Sequence, residues 1–110
     1  MIRQVTMLGA LALATSGFAQ DAAKGKQAYD SASPKCKMCH AIAGEGNAKG
    51  SLDSVGKLKA EEIKAWIRTP KEMAAKAKAE RKPPMIAYPA DKFSDADLDA
   101  LTAYLLTLKN

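Results

Sequence analysis

The sequence predicts a small all-α domain, and three observations point there. Apolar residues recur at spacings of three and four in two segments, Ile63, Trp66, Ile67 and Leu98, Leu101, Leu105, Leu108, which is the helical period. No segment reads as a convincing strand. Beyond the leader-like start, the chain offers only about twenty large apolar side chains, a thin core for one domain. Much of its hydrophobic fraction is alanine, so the composition asks for a large apolar cofactor to complete the interior.

The chain has 110 residues, enough for one domain and no second core. Residues 1–19 resemble an export signal. Arg3 supplies the positive start, Val5 to Ala14 an apolar run, and Gly17-Phe18-Ala19 the small residues a signal peptidase reads. Cleavage is expected between Ala19 and Gln20, leaving 20–110 as the mature domain in the periplasm. The alternative is an uncleaved anchor, but the run is shorter than the ~20 residues that span a bilayer. No later run is apolar enough to insert.

The formal charge is +5, from 17 Lys and Arg against 12 Asp and Glu. Such an excess suits nucleic acid, an anionic membrane or an acidic protein. Export disfavours the first, so an acidic protein partner is expected.

Asp21 to Asp30 reads as the first helix, with Pro34 beyond its end. Gly25 and Tyr29 share one face. A mid-helix glycine is either merely tolerated or marks a close approach by another backbone or ring. The glycine-rich stretch Ala43 to Gly56 reads as a loop, with Leu52, Val55 and Leu58 as inward anchors. Lys59 to Arg68 reads as the second helix, with Glu61 and Glu62 in its first turn complementing the helix dipole. Its Trp66 is a core residue or, alternatively, a donor to a cofactor carboxylate. Lys71 to Arg81 reads as a solvated helix with Met73 its one large apolar side chain. The prolines of Lys82 to Pro89 impose an extended path. Ser94-Asp95-Ala96-Asp97 opens the last helix with a capping pattern.

The chemistry centres on Cys36-Lys37-Met38-Cys39-His40. Two thiols three residues apart with an imidazole directly after them form the attachment pattern of c-type haem. The sulfurs can form thioethers with the two vinyl groups on one porphyrin edge, and the imidazole becomes the proximal iron ligand. A thioredoxin-like pair needs a βαβ context that is missing. A structural zinc needs four ligands, and His40 is the single histidine beside two cysteines. A two-residue disulfide would leave His40 and the export signal unexplained.

With His40 on the proximal side, thioether sulfur is the remaining choice for the sixth position. Met38 lies within the attachment loop and cannot reach the opposite face. Met85, on the proline-stiffened segment, is favoured over Met73 or an open site. The outer ring nitrogen of His40 needs an acceptor. A backbone carbonyl between Lys49 and Leu52 is the expected one.

On these residues the chain resembles the class I (mitochondrial-type) monohaem cytochromes c, in particular bacterial soluble members, over essentially the whole mature length. The resemblance implies the cytochrome c fold, about four to five helices wrapped around one covalently bound haem. Gly25 and Tyr29 match the glycine and aromatic of the family's first helix, and Tyr104 the aromatic that crosses them. Cys36, Cys39 and His40 match the haem motif, Met85 the distal ligand, and Ala60 to Pro70 the helix bearing a tryptophan. Two positions depart. Gly50 stands where many members have a proline, and Ile86 follows Met85 where a proline is common.

The implied function is electron transfer on one c-type haem, without enzymatic turnover, by a monomer. Lys35, Lys37, Lys49 and Lys82 would ring the haem edge and steer it to acidic faces of an oxidase, reductase or dehydrogenase. The rivals are a small-ligand sensor with an open distal site and a haem subunit of a dehydrogenase or peroxidase-like enzyme. Against both, no distal acid–base pair appears.

Overall fold

The computed structural model describes residues 21–79 and 84–110. The expected signal peptide and its cleavage site lie outside the described residues, as do Arg81, Lys82 and Pro83. Helix α1 is seen over 21–31. It is followed by a 3-10 turn Cys36–Met38 and a short antiparallel pair, β1 Ala41–Ile42 and β2 Glu45–Gly46. Two more 3-10 turns, Ala48–Gly50 and Val55–Lys57, lead to α2 (Ala60–Arg68), α3 (Pro70–Ala77) and α4 (Asp95–Leu105). The two-residue strands replace part of the expected loop. They do not alter the all-α class.

The helices begin and end where local chemistry demands. At the start of α2, the Lys59 amide donates to Glu62 Oε1 at 3.3 Å. Glu61 and Glu62 complement the positive end of the dipole. Pro70 opens α3, where its missing N–H costs nothing. That helix stops at Ala77, short of the Arg81 its propensity suggested, because Lys78 turns left-handed (φ 51°) and closes it. The Ser94 side chain caps α4 by accepting the Asp97 amide at 3.1 Å.

The core joins Ala28, Tyr29 and Ala32 of this first segment to Ile63 and Ile67 of α2 and Leu98, Leu101 and Leu105 of α4. Tyr88 and Phe93 complete it from the long connection before α4. Gly25 is the contact point of α1 and α4. A Cβ there would overlap the Ala100 carbonyl and lie 2.6 Å from Tyr104 Cβ. The close-approach reading of this glycine therefore holds. The Tyr29 and Tyr104 rings meet edge to face beside it, with centroids 6.4 Å apart.

Two expected core positions turn out differently: Leu58 is exposed, and Trp66 is half-buried and outside the core cluster, whereas Leu52, Val55 and Leu108 do pack against it. Leu108 does so from beyond the end of α4, and its carbonyl accepts the Gly56 amide at 2.7 Å. Among the described residues no helix is long and apolar enough to cross a membrane.

Candidate cofactor site

The attachment segment is built by short-range bonds. The Met38 amide donates to Lys35 O at 3.1 Å, and the Cys39 and His40 amides both donate to Cys36 O, at 3.1 and 2.9 Å. This turn carries Cys36, Cys39 and His40 out of one tight curl. Gly46 then lets the chain double back against it, at φ 118°, where a Cβ would collide with the His40 carbonyl. The Asn47 amide donates to His40 O at 3.0 Å and closes the loop. Neither cysteine is held in a disulfide.

His40 Nδ1 lies 2.9 Å from Gly50 O. A carbonyl can only accept, so Nδ1 carries the proton and Nε2 is the basic nitrogen. This is the acceptor expected between Lys49 and Leu52. Glycine suffices at position 50, because the acceptor is its backbone carbonyl.

Across from this segment runs the extended stretch 84–89. Cys36, Cys39, His40 and Met85 line one apolar cleft together with Pro34, Pro84, Ile86 and Tyr88. Met73, on α3, is half-buried and is not among the lining residues. Met38 and Ile86 stand exposed on the cleft's rim, and the exposed Lys35 lies beside them. Lys37 and Lys49 are exposed as well.

Two residues that sequence reasoning passed over hold this cleft in shape. The Tyr88 hydroxyl donates to Pro34 O at 2.6 Å, joining the extended stretch to the start of the attachment segment. Arg68 Nη1 donates to Tyr88 O at 2.7 Å and to Phe93 O at 2.6 Å. The one available signal was an arginine in the last turn of a helix, where carbonyls need donors. It does not say which carbonyls.

The low polarity of the site is visible in its titrating groups. Burial pushes the Cys36 thiol up to about 11, although hydrogen bonds from its own backbone and from Tyr88 oppose the shift. Burial first, then the neighbouring Cys36 and Cys39, raise Tyr88 to about 12. Tyr29 is likewise raised to about 12 by burial, and among the described residues its hydroxyl has no hydrogen-bond partner. At neutral pH the Cys36 sulfur and these hydroxyls are therefore uncharged.

A family model described as Cytochrome c matches residues 22–109. No curated protein and no solved structure matches the chain. The family implies a covalently bound c-type haem with its iron, and an all-α fold around it. The donor set fits that group. Two sulfurs and an Nδ1-protonated imidazole sit on one wall of an apolar cleft, and a thioether sits on the same cleft from another segment.

Proposed function

The chain belongs to the cytochrome c family, and on that premise we propose that it is a class I monohaem carrier, soluble in a bacterial periplasm. When bound, the c-type haem supplies a single-electron ferrous–ferric couple. Cys36 and Cys39 hold it through two thioethers, so it cannot be lost outside the cell. His40 Nε2 is the proximal ligand, and the Gly50 carbonyl fixes the ring plane and raises its basicity. The Met85 sulfur is the sixth ligand. A soft, neutral donor in an apolar cleft favours the ferrous state and so a positive potential for haem. Pro34, Pro84 and Ile86 line the cleft beside these residues.

Lys35, Lys37, Lys49 and Lys82 steer the exposed edge toward acidic faces on a respiratory oxidase, reductase or dehydrogenase. Such encounters are brief and weaken with salt. The mature domain, 20–110, works as a monomer and turns over no substrate, after residues 1–19 are removed during export.

One observation carries this reading: His40, oriented by Gly50, shares an apolar cleft with Met85. The absorption spectrum tests it. The ferric protein is expected to show the weak red-edge band of iron–thioether ligation, and the reduced protein to resist carbon monoxide. Met85→Ala should abolish the band. Rapid carbon monoxide binding to the native reduced protein would instead make the chain a small-ligand sensor. A colourless protein with two titratable thiols would end the proposal.

A further inference from the structure

We propose that Arg68 is the positioning residue for the distal ligand, clamping the stretch that carries Met85 against the end of α2. The inference rests on the reading of Met85 as the sixth ligand. Residues 84–89 form no helix or strand, so their path is decided by bonds to other elements. The Tyr88 amide donates to Ile67 O at 3.0 Å, and the next residue of α2 supplies the rest. Arg68 Nη1 serves the carbonyls of Tyr88 and Phe93, while Nη2 meets Asp95 Oδ1 at 2.9 Å.

The guanidinium thus ties α2 to the distal stretch and to the first residue of α4. Its side chain is 20% exposed, whereas that of Asp95 is 88% exposed. The two carbonyls are the dry end of the clamp, and the carboxylate orients the wet end. A lysine keeps the charge but cannot present two nitrogens in a fixed fork. Tyr88 lies three residues beyond Met85, so a tether there limits how far the thioether can swing from the site.

The test is competition by imidazole for the ferric holoprotein, read with the red-edge band, the covalently bound haem mass and helical circular dichroism. Arg68→Met should keep the bound mass and the helices yet bind imidazole roughly tenfold more tightly, as the loss of a charge-assisted bond from the ligated state implies. Arg68→Lys should fall between, and Asp95→Asn, which keeps the Oδ1 acceptor but loses the charge, should weaken the clamp less than Arg68→Lys does. Should Arg68→Met fail to fold, Arg68→Lys is read in the same assays against the same outcomes. Unchanged imidazole affinity in a folded Arg68 variant, even with a lower melting temperature, overturns the clamp. Met85→Ala in the parent background separates the two ideas. If its band survives, the ligand assignment falls. If the band vanishes while the Arg68 variants bind imidazole like the parent, only the clamp falls.

Discussion

The two walls of the cleft are held in opposite ways. The wall with Cys36, Cys39 and His40 is held mostly from nearby in sequence: its backbone bonds and the His40–Gly50 contact join residues between 35 and 52, as from the Leu52 amide to Ala41 O. The wall with Met85 has no regular structure of its own. It is pinned from outside, by Arg68 across 20 and 25 residues and by the Tyr88 hydroxyl across 54. Local closure loses little chain entropy, whereas the distant bonds exist only once the helices have packed. One wall can form early and stay put, and the other depends on the rest of the fold.

Breaking the local wall should be the costliest change. Gly46→Val places a β-branched side chain at φ 118° and against the His40 carbonyl. Backbone strain and overpacking together predict a loss of about 3 kcal/mol or more in denaturant unfolding. A loss below 1 kcal/mol would mean that this turn relaxes easily, and the contrast between the walls would weaken.

Tyr88→Phe cuts a bond that joins the walls and leaves Pro34 O without this donor. About 1–2 kcal/mol of stability should go with it. The same hydroxyl gives a pH signature. Tyr29 and Tyr88 ionise near 12 in the fold, against an ordinary value of 10. The unfolded chain releases these protons first, so their contribution is intact below pH 10 and is lost as pH rises from there to 12. Alkaline unfolding followed by tyrosinate absorbance checks this: the ultraviolet rise should accompany loss of structure, and in Tyr88→Phe the onset should be less steep. A smooth titration near 10 in the folded protein would contradict it.

Ser94→Ala removes the cap where the distal connection enters α4 and should cost about 1 kcal/mol by thermal melting. The smallest effect belongs to the second cation–carboxylate pair between α2 and α4. Lys64 meets Asp99 at 2.9 Å, but both are well exposed, and Lys64→Ala should change stability by less than about 0.5 kcal/mol. If it matters as much as Arg68 does, charge pairing and not carbonyl binding explains the clamp.

What could be read without coordinates follows the same division. The attachment motif, the acceptor for His40 and the Ser94 cap rest on residues close in sequence, and these are properties that a chain expresses locally. The residues alone leave Gly25 open between a tolerated glycine and a close approach, and the crossing comes only with the family resemblance. Trp66 is expected inside because it sits on an apolar stripe and Leu58 because it is a large side chain in a loop of small ones, yet such patterns give only direction. How deep a residue lies depends on what packs over it.

The amino-acid order alone determined the helical class, the Cys36, Cys39, His40 spacing of a haem-attachment motif and the shortage of apolar core that a porphyrin would fill. Only the tertiary structure decided that Arg68 and Tyr88 hold the Met85 stretch in place, and that Lys78 ends α3 early. Nothing in the spacing of residues 68, 88 and 93 announces that a guanidinium will meet two carbonyls. That meeting is settled by how α2 and α4 pack, which is a sum of many contacts and not the signature of any one residue.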